Sequence, residues 1–92
     1  DGLLVVVCSI DVDTKELLSG PDVISRGFVY VRESEELMEA AKEILTNTLN
    51  DCLDKNIREW NTIKTRMKDS LGDYIYAKTK RRPMILPIIM EI

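Results

Sequence analysis

The chain has 92 residues, 45% hydrophobic and 32% charged, which fits one folded domain and argues against disorder. Its net charge is −3, and it contains no histidine, which removes a Ser/His or Cys/His pairing, an imidazole base and the usual zinc ligand set. No apolar run approaches the roughly 20 residues of a membrane span, so no membrane partner is expected. The opening Asp1-Gly2-Leu3 has neither an initiator Met nor a basic leader, and the sequence reads as a piece of a longer polypeptide.

Leu3 to Ile10 (LLVVVCSI) is a β-branched apolar run and predicts a strand. Residues 11–15 are polar and turn-like and close a hairpin. Turn chemistry explains Asp11 and Asp13 better than a paired-carboxylate site does. Glu16 to Ser19 begins the return strand. Gly20-Pro21-Asp22 interrupts it, because proline offers no N–H to a ladder, and Val23 to Ser25 resumes it. Gly27 marks a further irregularity beside Arg26, and Phe28 to Val31 completes the β-rich half.

Ser34 is the expected N-cap of a first helix, with Glu35 and Glu36 at the positive end of its dipole. Leu37, Ala41, Ile44, Leu45, Thr48, Leu49 and Cys52 recur at helical spacing and predict an amphipathic helix from Ser34 to Leu53. A second helix is expected from Arg58 to Lys78, with Trp60, Ile63, Met67, Leu71, Tyr74 and Ile75 on one face. Trp60 reads as a core anchor, while Tyr76 falls off the stripe. Gly72 interrupts the pattern, and a closely approaching neighbour helix is the expected reason. Pro83 ends the helical region, and Met84 to Met90 reads as a last strand that Pro87 confines to a sheet edge. Cys8 and Cys52 lie in apolar patterns without ligand spacing and read as buried thiols, a disulfide being the other possibility.

The order predicts an α+β, two-layer β-β-α-α-β domain over residues 1–92. Its three-stranded mixed sheet has spatial order 2-1-3 and is covered on one face by two antiparallel helices. The strands conflict with that cover. A sheet shielded on one side alternates apolar and polar residues, yet the first and last strands are apolar at both parities. One set is therefore left over, taken here as Leu3, Val5 and Val7 with Ile85 and Ile89. An uncovered apolar patch of this kind marks an interface.

Charge is also unevenly placed. Residues 33–54 carry seven acids and one base, whereas residues 55–82 carry nine bases and three acids. Two readings stay open: complementary helix surfaces, or a basic face offered to phosphate. Arg26, Arg81 and Arg82 are the candidate contacts to phosphate or to a protein partner.

Three stretches carry a resemblance to a known family. They are SGPDVISRGFVYVRES (Ser19 to Ser34), Glu59-Trp60 opening a basic helix, and KTKRRPMILPIIMEI (Lys78 to Ile92). With them the chain resembles the C-terminal domain of bacterial ribonuclease J. The resemblance implies a parent with a metallo-β-lactamase fold and an inserted nucleotide-binding domain. Such a cytoplasmic enzyme uses two zinc ions to cut RNA internally and from its 5′ end, commonly as a dimer or tetramer. Its C-terminal domain supports assembly and activity. The family's HxHxDH zinc motif is absent from a chain without histidine, so no catalytic or metal role passes to any residue here and no cofactor is expected in this segment. The resulting expectation is a non-catalytic assembly domain whose partners are the parent's catalytic body or a second copy. The alternative is an RNA-contacting module using residues 55–82. A free-standing enzyme is the weakest reading, for want of a nucleophile or metal site.

Overall fold

The computed structural model describes residues 2–27 and 31–92, with side chains described for 2–27 and 35–92. Five elements follow in the order β1 (Leu3–Ile10), β2 (Leu17–Arg26), α1 (Val31–Asp54), α2 (Trp60–Thr79) and β3 (Met84–Glu91). The sheet order is β2-β1-β3, with β1 antiparallel to β2 and parallel to β3. The expected mixed sheet, its order and its central first strand are all present. The molecule measures 39 × 19 × 17 Å, because a 24-residue α1 is about 36 Å long at about 1.5 Å per residue.

The β1–β2 turn is held by Asp11. Its Oδ1 accepts the backbone N–H of Asp13 at 2.8 Å and of Thr14 at 2.9 Å, and Asp11 N–H donates to the Glu16 carbonyl at 2.9 Å. β2 is continuous through the expected break, but its register to β1 shifts between Val7 and Ser9 and again between Ser9 and Ile10. Gly20 and Pro21, joined by a cis peptide, together face the single residue Cys8 at the first shift.

The helices turn back through residues 55–59. Asn56 takes a left-handed φ of 61°. Ile57 N–H donates to the Cys52 carbonyl at 2.9 Å and Asn56 N–H to the Leu53 carbonyl at 3.0 Å. This is a Schellman stop, with asparagine in the position usually given to glycine. α2 ends when Lys80, also left-handed, donates its N–H to the Tyr76 carbonyl at 2.8 Å.

The core lies between the helices and one sheet face. Leu4, Val6, Cys8 and Ile10 of β1 meet Leu37, Ala41, Leu45, Leu49 and Cys52 of α1 and Ile63, Met67, Leu71 and Ile75 of α2. The predicted helical stripes are buried except at Ile44 and Thr48, which are half-buried, and Trp60 and Tyr74 pack partly buried against the core. Both cysteines are buried free thiols. Burial pushes the ionisation of each thiol up, so neither is a ready nucleophile.

Two boundaries differ from expectation. α1 starts at Val31, so Ser34 lies inside the helix rather than capping it, and Val31 is helical rather than extended. The rest of the expected strand there, Phe28 to Tyr30, lies outside the described residues. Gly72 faces β3 rather than a helix: a Cβ on it would meet Ile85 Cδ1 at 3.7 Å.

Candidate docking face

The sheet side away from the helices is the open face. The regular register from Leu3 to Val7 defines three of its rows, since cross-strand partners share a face. Leu3 pairs with Arg26 and with Met84, Val5 with Ile24 and Leu86, and Val7 with Asp22 and Ile88. A fourth row holds Ser19, Ser9 and Met90, and there the two serine hydroxyls hydrogen-bond each other.

Leu3, Val5 and Val7 lie on this face and are half-buried. Ile85 and Ile89 do not, which corrects the assignment made from sequence. Ile85 is only 9% exposed and belongs to the core, and Ile89 packs against that core partly buried. The cause is the parallel register, in which Leu4 pairs with Ile85 and Cys8 with Ile89 on the helix side. The β3 residues that face out are Met84, 70% exposed, Leu86, 48% exposed, and their neighbours Ile88 and Met90. Ile24 of β2, 46% exposed, extends the patch. An apolar run at both parities gives periodicity nothing to choose with, so no sequence signal separated the two sets.

The outer edge of β3 is interrupted by a proline. Met84 N–H donates to the Gly2 carbonyl and Ile92 N–H to the Ile10 carbonyl. N–H groups alternate in direction along a strand, so those of odd-numbered residues between them point away from β1. That outward row is Ile85, Pro87, Ile89 and Glu91, of which Pro87 has no N–H. Proline at such a site blunts an edge against pairing.

Arg26 is exposed at the end of β2, in the row that contains Leu3 and Met84. Arg81 and Arg82, both exposed, precede β3 at the same end of the sheet. The fold thus gathers the three candidate arginines there. The Arg82 guanidinium lies 4.0 Å from the centroid of the Tyr76 ring, and Lys80 Nζ lies 5.2 Å from the same ring. These are cation–π contacts, which hold the two side chains over an exposed aromatic. The neighbouring cleft along α2 mixes Lys68 and Arg82 with Asp69 and Asp73, so its lining charges cancel.

The opposite charges of α1 and α2 do not meet as described ion pairs. Lys42–Glu39 and Lys55–Asp51 are both local to α1 and its end. The helices are linked instead by the Thr48 hydroxyl, 3.0 Å from Ser70 Oγ. Among the described residues no three His, Cys, Asp or Glu side chains come together as a metal site. The residues present therefore do not fit the zinc centre that the family resemblance places in the parent. No helix among the described residues is long and apolar enough to cross a membrane.

Fold and surface together define a small two-layer α+β domain whose sheet carries exposed apolar side chains on the side away from the helices. The chain belongs to the ribonuclease J C-terminal domain family, whose model matches residues 1–92. It is 49% identical over all 92 residues to a protein named ribonuclease J2 from Bacillus subtilis, of which it spans 17%. It is 42% identical to a ribonuclease J 2 from Staphylococcus epidermidis and 41% identical to one from Staphylococcus aureus, covering 16% of each. The chain thus spans about one sixth of the length of these relatives.

Proposed function

We propose that this chain is the non-catalytic assembly domain of a ribonuclease J-like RNA-processing and decay enzyme. The catalytic work of the parent, including its two-zinc centre, belongs to a body outside residues 1–92, in a cytoplasmic homo-oligomer. The domain contributes a docking surface for polypeptide of the same enzyme. One observation carries this reading: three adjacent rows of the open face place Leu3, Val5, Val7, Met84, Leu86, Ile88 and Ile24 side by side, with both helices packed on the opposite side of the sheet among the described residues. Contiguous apolar surface of this kind is costly to leave wet.

The test is sedimentation of the 92-residue chain over a concentration series, alone and mixed with the separately produced catalytic body. Self-association or binding to that body, abolished by Leu86→Glu without loss of helical circular dichroism, is the expected result. A chain that stays monomeric and binds no catalytic body overturns the reading, as does ribonuclease activity in the chain alone.

A second reading, contact with RNA phosphate, is favoured by one observation. Four cations lie within residues 78–82, and two of them are held over Tyr76. It predicts salt-dependent binding of single-stranded RNA that Arg81→Ala with Arg82→Ala weakens. Absence of binding at low salt removes it.

A further inference from the structure

Resting on the assembly reading above, we infer that the open face is occupied by the same face of a second copy, in one defined register. The two-fold axis runs across the strands along the Ile24–Val5–Leu86 row, so that Arg26 of each copy meets Asp22 of the other.

The argument is one of rows. Asp22 and Arg26 are the two charged side chains in the three apolar rows, one row to either side of Ile24 on β2. A two-fold along the middle row exchanges the rows flanking it. Arg26 then falls on Asp22 twice, Leu3 falls on Val7, and Met84 falls on Ile88. Ile24, Val5 and Leu86 meet their own counterparts. Every charge gains an opposite partner, and every apolar side chain gains an apolar one.

Other registers fail on the same residues. An axis along the Asp22–Val7–Ile88 row stacks two carboxylates, and one along the Arg26–Leu3–Met84 row stacks two guanidinium groups. An axis midway between rows sets Arg26 or Asp22 against Ile24. An axis parallel to the strands lays β2 on β3 and presses Arg26 on Met84 and Asp22 on Ile88, which desolvates charges without partners. Like charges brought together across an interface are strongly unfavourable, so one register is selected.

The geometry is ordinary for stacked sheets, which lie about 10 Å apart with strands aligned within about 30°. The Arg26–Asp22 pairs sit over the outer strand, at a polar rim around an apolar centre. Three strands about 4.8 Å apart and four rows long cover roughly 15 by 20 Å. That is less than the roughly 800 Å² per partner of a stable complex. The chain by itself therefore associates weakly, in the micromolar range or above, and the ion pairs set register more than affinity.

Sedimentation equilibrium of the 92-residue chain tests this with Asp22→Arg and Arg26→Asp, both exposed sites, and folding is followed by circular dichroism. Each single variant places like charges at both rim pairs and is expected to self-associate at least about tenfold more weakly. The double variant is expected to recover to within about threefold of the parent chain. Mixing the two single variants is expected to give a 1:1 heterodimer, because all four facing groups are then of opposite sign. If the single variants associate like the parent chain while Leu86→Glu does not, the register is wrong and the docking face stands. If the parent chain binds only the catalytic body, the second copy is wrong and the assembly reading stands.

Discussion

Gly20 lies so close to Val7 that a Cβ on it would stand 2.5 Å from the Val7 carbonyl oxygen and 3.0 Å from the Cys8 α-carbon. Its φ of +85° is itself one that a side chain resists. The β1 backbone cannot withdraw, because Val7 is paired with Asp22 on one side and Ile88 on the other. Gly20→Ala is therefore expected to destabilise the domain by about 2–4 kcal/mol, the sum of a left-handed penalty and a backbone clash. Urea denaturation measures it as a lower midpoint at constant slope. A loss below about 0.5 kcal/mol, the scale of an ordinary surface substitution, counts against this packing.

Gly72 behaves in the opposite way. A Cβ there meets only Ile85 Cδ1, at 3.7 Å, an ordinary contact. The residue sits in the interior of α2, where glycine costs more chain entropy than alanine. Gly72→Ala is expected to stabilise the domain by about 0.5–1 kcal/mol. The same denaturation experiment decides the sign.

Adjacent residues of β3 should respond very differently. Ile85 is buried against the helices and Leu86 is exposed on the open face. Ile85→Ala is expected to cost about 2–4 kcal/mol of monomer stability, from lost burial and a partly unfilled cavity. Leu86→Ala is expected to cost less than about 1 kcal/mol. Comparable losses at both positions, measured at protein concentrations low enough to keep the chain monomeric, would falsify the assigned parity of the strand.

Most of the architecture was legible because the sequence signals are local and redundant. LLVVVCSI is β1 over its full length, and Leu37, Ala41, Leu45, Leu49 and Cys52 form the buried stripe of α1. The misassigned pair, Ile85 and Ile89, fell where the signal is degenerate. A strand apolar at both parities can turn over without changing its pattern, and only its pairing with β1 fixes the choice. The start of α1 was missed because Val31 follows a run of β-formers and reads as strand by propensity, whereas the helix begins there. The end of α1 was readable in outline from Asn56, yet its left-handed φ is a property of the finished turn. The charge asymmetry of the helices was plain, but composition does not say which side chains meet. The recorded ion pairs run along α1 instead.

The hairpin should carry a charge-dependent contribution from Asp11. Its carboxylate accepts the backbone N–H groups of Thr14 and Asp13, and these bonds hold its ionisation below the ordinary carboxylate range. The folded value is thus lower than the unfolded one, which is about 3.9 for an aspartate. The stabilisation is fully present above the unfolded value and is lost as pH falls through the folded one. Asp11→Asn keeps an oxygen that can accept the same bonds and removes only the charge. The variant is therefore expected to melt below the parent chain at neutral pH, with a gap that narrows as pH falls below about 4, where the parent's own carboxyl takes up its proton. Thermal unfolding at pH 7, 5, 4 and 3 measures the gap. A difference that stays constant across that series assigns Asp11 a purely geometric role in the turn.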